Sequence, residues 1–307
     1  MEEDPEVDLR QLRYFLAVVD EGGVHRAAEA LFVAQPSISQ AIRGLEKDLD
    51  ASLFHRVGRR LVLTPAGEAL IPAAREVMHG VELARSVVDA VDGLRSGRVV
   101  VSCMPSQAVS PLAPLVGRFQ QRYPGVHVSV RAAATTDDVT TALRVGDAEL
   151  GLIAHPTTVP VDAELTELTV HPLQTQHYVC VARGAGDLPT GSGPVRPQDL
   201  AGARLIVGQV GTGMRRAAEL VLAKAGGSAA VVEIEHREAL LPLVLAGVGV
   251  AVVAEPWRGL AEAAGLTVRD LEIPEALAVN LVHRPGPLSP AAQAFLNSAT
   301  TAPISAD

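Results

Sequence analysis

The stretch QPSISQAIRGLEKDLDASLFHRVGRRLVLTPAG, residues 35–67, decides how the first part of this chain folds. Apolar residues recur along its first half at spacings of four, three and four: Ile38, Ile42, Leu45 and Leu49. Spacings of this kind place apolar side chains on one face of an α-helix. Pro36 follows Gln35 directly, and proline is favoured in the first turn of a helix. The pattern therefore predicts a helix with one buried stripe.

Two further helices are predicted ahead of this one. Residues 9–19 place apolar side chains at spacings of three, four and three, and the alanine-rich run HRAAEAL follows after two glycines. The short connection FVAQ then leads into the third helix, which is the helix-turn-helix pattern. The outer face of that third helix carries polar groups that suit a DNA groove: Ser37, Ser39, Gln40 and Arg43. An ordinary solvated helix face is the alternative that the pattern leaves open.

Positive charge is concentrated just after this helix. The run SLFHRVGRRLVLT reads as two short strands around Val57-Gly58, a small hairpin or wing that carries Arg56, Arg59 and Arg60. No carboxylate lies between residues 51 and 64. Arginine can fork onto phosphate oxygens or enter a narrow minor groove, so this cluster favours a nucleic-acid partner.

The overall charge of the chain does not oppose that interpretation. The formal net charge is −9, and the first 95 residues hold 11 Lys and Arg against 16 Asp and Glu. The remaining residues hold 15 against 19, so neither part is basic overall. Contact with phosphate depends on which face meets the backbone, and the local cluster matters more than the sum.

A long helix is predicted after the wing, with Thr64 as its N-cap and Pro65 in its first turn. Apolar residues then alternate at spacings of four and three over three heptads: Leu70, Ala74, Val77, Val81, Ala84, Val88 and Val91. We expect this seam to pair with a second copy of the chain, and the alternative is packing on its own domain. Pro72 interrupts the pattern and removes one helical hydrogen bond.

Beyond residue 97 the pattern changes to strands that alternate with helices. Apolar runs such as RVVVSC, LGLIA, HYVCVA and VGVAVVA are separated by helical stretches, which is typical of largely parallel α/β sheets. Stretches 155–161 and 184–197 are rich in Gly, Pro and Thr and read as loops or a domain crossing. The arrangement permits two α/β lobes with a cleft between them.

Ligands collect in such folds at strand C-termini and helix N-termini. This rule selects residues after four of the predicted strands: Ser106, Gln107, Thr135, Thr136, His155, Gln209, Gly211, Thr212 and Arg215. Hydroxyls, backbone N–H groups and one arginine suit a small anion such as a carboxylate. Each of these residues alone also fits a helix cap or a turn.

Other classes of protein fit the sequence less well. No apolar run reaches the length of a membrane span, and the acidic N-terminus MEEDPEVD does not resemble a signal peptide, so we expect a cytoplasmic protein without membrane contact. Catalytic motifs and metal-ligand spacings are missing, so we expect no enzyme, no cofactor and no metal. A solute-binding protein would leave the first 90 residues unexplained. A redox switch through Cys103 or Cys180 would need an exposed thiolate, whereas both lie in apolar runs.

The residues together resemble the LysR-type transcriptional regulators. The resemblance is strongest over LRQLRYFLAVVDEGGVHRAAEALFVAQPSISQAIRGLEKDLDASLFHRVGRRLVLTPAGEAL, and it continues more loosely through RFQQRYPGVHVSV, LRVGDAELGLI and LAGVGVAVVAEP. It implies a winged helix-turn-helix, a dimerising linker helix and a two-lobed effector domain similar to type II periplasmic binding proteins. The expected fold class is therefore α plus α/β, in several domains. The expected bounds are 8–65 for the DNA-binding domain, 66–94 for the linker helix and 97–300 for the effector domain, with lobe one at 97–160 and 270–300 and lobe two at 161–269.

The resemblance also implies roles for particular residues and partners. Gln35, Pro36, Ser39 and Gln40 fall on the family's contact positions in the recognition helix, and Arg59 falls on its wing arginine. Expected partners are double-stranded promoter or operator DNA, a small-molecule effector bound between the lobes, and further copies of the chain in a dimer or tetramer. RNA polymerase is a further candidate partner.

Three positions depart from the family pattern. Ala34 and Gly23 stand where Ser or Thr often caps a helix, and glycine is the more tolerable cap of the two. Asp50 replaces a glycine usual after the third helix. We expect these changes to strain or weaken the DNA-binding domain without removing it.

Overall fold

The computed structural model describes residues 7–58, 60–89, 94, 96–158, 165 and 167–301. The chain divides into two compact units, one formed mainly by the first 93 residues and the other from residue 94 onward. Within the described ranges, no helix has both the length and the apolarity needed to cross a membrane. The two units are described separately.

The first unit has the predicted helix-turn-helix, hairpin and long helix. Its elements in chain order are α1 (Leu9–Asp20), α2 (Val24–Ala30), α3 (Gln35–Asp48), β1 (Phe54–Val57), β2 (Arg60–Leu63) and α4 (Pro65–Asp89). Strands β1 and β2 pair antiparallel, with Val57 opposite Arg60 at the closed end. The expected winged helix-turn-helix is confirmed.

The apolar stripes of these helices meet in one core. Ile38 and Leu45 of α3 are completely buried beside Phe15 of α1. The ring of Phe15 also lies 5.6 Å from that of Phe54 in the wing, centroid to centroid. Burial of these side chains supplies the main favourable free energy for folding the unit and leaves the other face of α3 to solvent.

The first three helices end in the same way, with one residue in the left-handed conformation. That residue is Gly22 after α1 (φ 66°), Phe32 after α2 (φ 53°) and Asp50 after α3 (φ 48°). In each case the next backbone N–H bonds back into the last helical turn, as in a Schellman motif. Glycine adopts this conformation at little cost, whereas Phe32 and Asp50 place a Cβ in a crowded position.

The N-termini of α2 and α3 lack side-chain caps, as the substitutions at Gly23 and Ala34 indicated. α1 differs, because Asp8 accepts from the Arg10 N–H and forms a capping box with Gln11. Helices α2 and α3 therefore begin without the stabilisation that a Ser, Thr or Asp cap would add.

The motif LTPAG has a clear structural role at the start of α4. The Thr64 hydroxyl donates to the Ser52 carbonyl (2.6 Å) and accepts from the Gly67 N–H (3.0 Å). A Cβ at Gly67 would lie 2.3 Å from the Leu53 carbonyl oxygen, so only glycine permits this approach. The motif joins the base of the wing to the first turn of α4.

Helix α4 continues through Pro72, and the predicted seam is used in two ways. Ala74 is buried in the core of the first unit, and Leu70 packs against it. Further along, the side chains of Val77 and Val88 are 45% and 70% exposed. Val91 lies outside the described residues. The second half of the seam is thus uncovered by the described part of its own unit.

The second unit consists of alternating strands and helices. Its strands are β3 (Gly97–Cys103), β4 (Val126–Ala132), β5 (Leu150–Pro156), β6 (Thr169–Gln176), β7 (Tyr178–Ala182), β8 (Arg204–Gly208), β9 (Ala229–Ile234), β10 (Val250–Ala254), β11 (Thr267–Asp270) and β12 (Leu277–His283). Its helices are α5 (Pro105–Gln107), α6 (Ala113–Arg122), α7 (Thr136–Arg144), α8 (Gly213–Lys224), α9 (Leu240–Leu245), α10 (Arg258–Ala263) and α11 (Pro290–Thr301).

These strands form two five-stranded sheets, one in each lobe. The order in the first is β4-β3-β5-β12-β6, and in the second it is β11-β7-β10-β8-β9. Strand β3 runs parallel to β4 and β5, and β8 runs parallel to β9 and β10. β12 returns to the first sheet and lies antiparallel to β5 and β6. The two-lobed α/β arrangement is confirmed, with three mutually parallel strands on one side of each sheet and antiparallel pairings on the other.

The lobes are divided at a different point from the one expected. Residues 169–176 form β6 and pair with β12 in the first sheet, although the sequence placed 161–269 in the second lobe. The run TVHPLQTQ mixes polar and apolar side chains, so it does not have the continuous apolar pattern of a central strand. It lies at the sheet edge, where such a composition is tolerated. The chain enters the second sheet only at β7.

Candidate DNA-binding surface and effector cleft

Helix α3 separates its side chains clearly into two faces. Ile38, Ile42 and Leu45 are buried. The polar positions predicted to meet DNA lie outward: Gln35, Pro36, Ser37, Gln40 and Arg43 are exposed, and Ser39 is partly exposed. The rigid placement of the apolar stripe therefore orients the polar face as one surface, which is what a helix entering a major groove requires.

Glu46 ties the far end of α3 to the wing. Its carboxylate accepts from the backbone N–H groups of Leu53 (2.8 Å) and Phe54 (3.3 Å). The charge on the acceptor strengthens these bonds, and they fix where β1 leaves the helix. The exposed Arg56 follows two residues later on β1.

The described exposed cations of this surface are Arg43 and Arg56. Within the described side chains, no carboxylate lies at ion-pair distance from Arg43 or Arg56. Arg60 begins β2, and nothing is described of its side chain. The predicted contact at Arg59 lies outside the described residues. An exposed cation without a carboxylate partner can be neutralised by a phosphate.

The second unit contains a cleft where the two lobes meet. Its larger part has a volume of about 330 Å³ and is bordered by β5 and the start of α8. A smaller part, of about 20 Å³, is bordered by α5, by the last residues of β10 and by Arg237 after β9. Most of these segments are strand C-termini and helix N-termini, as the rule for α/β sheets predicts.

Most of the residues predicted for effector binding lie at this cleft. Ser106 and Gln107 line its smaller part, and Thr136, His155, Gly211, Thr212 and Arg215 line its larger part. Thr135 and Gln209 do not line either part. Thr135 instead caps α7, where its hydroxyl lies 2.9 Å from the Asp138 carboxylate.

Several of these side chains are already engaged within the protein. The Thr212 hydroxyl caps α8 and donates to the Gln209 carbonyl (2.7 Å). The buried Gln107 amide donates to Gln176 (3.3 Å) and so links the loop after β3 to the end of β6. These internal contacts fix the shape of the cleft.

The arginine predicted to hold an anion is also engaged. Arg215 forms ion pairs of 2.7 Å with both Glu219 and Glu233. These hydrogen bonds raise its guanidinium pKa further and neutralise its charge. Its neighbour Arg216 pairs at 2.8 Å with Glu275, a carboxylate only 4% exposed. Both cations of the larger part thus have carboxylate partners.

Two polar residues at the smaller part were not predicted from the sequence: Arg237, which lines it, and Trp257, which contacts Ser106 from beside it. The indole N–H of Trp257 donates to Ser106 Oγ (3.3 Å), and Arg237 Nη1 lies 3.5 Å from the same oxygen. Arg237 follows β9 and Trp257 follows β10, so the strand-end rule would have found them had it been applied to those two strands as well.

The candidate metal ligands and the two cysteines of the described residues lie apart. Among them, no three His, Cys, Asp or Glu side chains converge as metal ligands. Cys103 and Cys180 lie in different sheets, and burial raises their thiol pKa values to about 11 and about 12. Both thiols stay protonated near neutral pH, so the redox alternative gains no support from this geometry.

Comparison with known proteins agrees with this architecture. Residues 9–68 match the family of bacterial regulatory helix-turn-helix proteins of the LysR type, and residues 92–302 match the LysR substrate binding domain. A RuBisCO operon transcriptional regulator of Allochromatium vinosum is 30% identical over 303 residues, which cover 94% of both chains. The HTH-type transcriptional regulator IlvR of Caulobacter vibrioides is 29% identical over 300 residues, covering 96% of this chain and 98% of the relative.

Solved structures show the same fold over the whole length. Full-length OxyR from Pseudomonas aeruginosa superposes with a TM-score of 0.72 at 20% identity, covering 97% of this chain and 96% of that one. Full-length CbnR in complex with its target DNA gives a TM-score of 0.66 at 20% identity, with coverage of 95% and 98%. With a winged helix-turn-helix followed by a substrate-binding domain, this chain belongs to the LysR family of DNA-binding transcriptional regulators.

Proposed function

We propose that this regulator binds two-fold operator DNA as a homo-oligomer, with α3 in the major groove. The observation that carries the proposal is the division of α3 into a buried apolar stripe and an exposed polar face. Gln40 can form two hydrogen bonds with an adenine edge, one through its amide oxygen and one through its amide NH2 group, whereas Arg43 can reach a guanine or a phosphate. Gln35, Ser37 and Ser39 supply shorter polar contacts near the helix start, beside Pro36.

The wing supplies contacts that do not depend on sequence. Arg56 is exposed on β1, and Arg59 and Arg60 follow in the chain. In this proposal the three arginines contact the phosphate backbone or a narrow minor groove beside the α3 site. Their contribution is to affinity and register, and that of α3 is to sequence preference.

Helix α4 supplies the contact between copies. The uncovered valines at 77 and 88 continue the heptad seam whose first residues pack inside the unit. A second copy of the seam would bury them and bring two α3 helices together, as a two-fold operator requires.

The cleft is the switch in this proposal. A small molecule that prefers one arrangement of the lobes shifts the population of that arrangement, and α4 passes the change to the spacing of the DNA-binding domains. Action on cytoplasmic DNA and contact with RNA polymerase complete the proposal and rest on the role of the family in transcription.

The test is DNA binding by the full-length protein, measured by fluorescence anisotropy at several salt concentrations. The DNA is the region upstream of its own gene, and a shuffled sequence of equal length serves as the reference. We expect tighter binding to the upstream DNA. Arg56→Ala should weaken binding to both DNAs and reduce the salt dependence by about one phosphate contact.

A matched variant separates a local effect from a change of net charge. Arg98 is exposed on β3 in the effector domain, and Arg98→Ala removes the same charge. Binding should be unchanged in this variant. Failure of the wild type to bind either DNA at low salt would contradict the proposal, as would equal losses in Arg56→Ala and Arg98→Ala.

A further inference from the structure

We propose that Arg237 is the anion-binding residue of the cleft, and that the effector is a small monocarboxylate with an apolar body. This inference rests on the proposed role of the cleft as the effector site. It also moves the expected anion site away from Arg215, which has two carboxylate partners of its own.

The geometry places three polar side chains from both lobes at one point. Ser106 lies in the loop after β3 of the first lobe, and Arg237 and Trp257 come from the second. Arg237 Nη1 and Trp257 Nε1 both approach Ser106 Oγ, at 3.5 and 3.3 Å. Because that oxygen already faces two donors, the hydroxyl hydrogen remains available to a ligand.

The charge of Arg237 is not compensated. No carboxylate of the described residues lies at ion-pair distance from its guanidinium, and none lines the smaller part of the cleft. Burial lowers the pKa of Arg237, because its charged form has lost water without gaining a carboxylate partner among the described residues. Arg215 and Arg216, which line the larger part, are both paired.

The guanidinium still has donors to offer. It carries five N–H groups, and the single long contact to Ser106 uses one of them. Arg237 lines the smaller part of the cleft, so its side chain borders the space that a ligand would enter. A carboxylate can accept two parallel bonds from such a fork.

The walls define the remainder of the ligand. Apolar side chains line most of the smaller part: Met104, Met214, Val253 and Leu277. A group with two negative charges would leave one of them uncompensated in this setting, which disfavours a phosphate dianion. The smaller part itself, about 20 Å³, has room for one small group, and it shares Met104, Ala154 and Leu277 with the larger part, whose volume of about 330 Å³ can hold a short branched or aromatic body attached to the carboxylate.

The protein contains a reporter for the test. Trp257 is its one tryptophan, it is buried, and it donates to Ser106 at the proposed site. Full-length protein is titrated with benzoate and 3-methylbutanoate, and in parallel with the neutral benzamide and 3-methylbutanamide. We expect a saturable change in tryptophan fluorescence with at least one carboxylate, and binding of its amide that is about tenfold weaker or worse.

Two variants locate the site. Arg237→Gln should abolish the response to the carboxylate, and Arg215→Gln, which removes an equal charge from the larger part of the cleft, should retain it. Folding is checked by thermal unfolding without ligand. We expect Arg237→Gln to unfold at or above the wild-type temperature, because it removes an uncompensated charge, and to lose the stabilisation by carboxylate.

Three results would overturn the inference. They are equal binding of carboxylate and amide, an undiminished response in Arg237→Gln, and no saturable response to either carboxylate. The measurement contains no DNA, so it is independent of the operator experiment. Carboxylate binding without operator binding would contradict the proposed function and support the site, and the opposite pair of results would do the reverse.

Discussion

The DNA-binding surface and the effector cleft both contain arginines that have no carboxylate partner among the described residues, but the surroundings of these arginines differ. Arg43 and Arg56 are exposed to water, whereas Arg237 is largely enclosed beside Ser106 and Trp257. An exposed cation keeps its hydration, so it costs the folded protein little free energy when no phosphate is bound. An enclosed cation has lost that hydration, which lowers the pKa of Arg237. Binding of an anion beside it stabilises the charged form of the guanidinium.

The difference separates two kinds of recognition within one chain. Exposed arginines attract phosphates over a range that becomes shorter as the salt concentration rises, and they bind any phosphate backbone. The enclosed arginine acts at contact, in a site whose apolar walls restrict the ligand. The first arrangement favours affinity and rapid association, and the second favours selection of one small molecule.

The largest expected effect separates the two regions outright. Phe15→Ala removes a completely buried ring from the core beneath α3, and we expect it to cost about 3–5 kcal/mol. Differential scanning calorimetry should show early unfolding of the DNA-binding domain, with loss of DNA binding and retention of carboxylate binding. Phe32→Ala is the matched control, because that ring is 96% exposed, and it should change stability little. Equal effects of the two variants would break the comparison.

Salt dependence compares the arginines directly. Between 50 and 200 mM salt, we expect operator affinity to fall by about a hundredfold or more if several phosphates are contacted. Carboxylate affinity, followed through Trp257 fluorescence, should change far less over the same range, because Arg237 is enclosed and screening by ions is weaker there. Parallel losses in the two titrations would show that Arg237 is effectively in water.

Glu46 tests how the DNA-binding surface is assembled. Glu46→Ala leaves the Leu53 and Phe54 N–H groups without their acceptor, with an expected cost of about 1–3 kcal/mol. DNA affinity should fall with it, because the wing loses its connection to α3. Glu46→Gln keeps an acceptor oxygen and should recover most of the loss in both thermal unfolding and anisotropy. No difference between the two variants would remove Glu46 from this role.

The smallest effect concerns the helix ends. Asp50→Gly and Phe32→Gly should each stabilise the DNA-binding domain by about 1 kcal/mol, since both positions have positive φ. Gly22→Ala, at φ 66°, should destabilise it by a similar amount. Urea unfolding of the three variants measures the changes. Destabilisation by both glycine substitutions would contradict the strain assigned to Phe32 and Asp50.

Local periodicity made the first unit predictable. The apolar spacing within residues 35–49 identified α3 and its buried face, because a helix of this period can bury only one stripe. The run around Val57 and Gly58 identified the wing in the same way. Motif LTPAG was recognised from the sequence, but the close approach of Gly67 to Leu53 that requires its glycine became visible only in the structure.

The cleft was predictable in position more than in chemistry. The ends of β3 and β5 lie together because parallel strands of one sheet end at the same edge, and residues after β8 of the other sheet border the same cleft. Which arginine remains uncompensated depends on contacts between distant residues, such as Arg215 with Glu233 and Arg237 with Ser106, 131 positions apart. The edge strand β6 was assigned to the wrong lobe for a related reason, because its pairing partner β12 lies about 100 residues further along the chain.

The central claim, that α3 reads base edges, is tested most directly by selecting binding sites from a random DNA library. The wild type should select a two-fold sequence with an adenine in each half-site at the position that Gln40 contacts. Gln40→Ala should lose preference at that position alone, and Gln40→Arg should change it towards guanine. An unchanged consensus in both variants, or no consensus with the wild type, would contradict the assignment of α3 as the reading element.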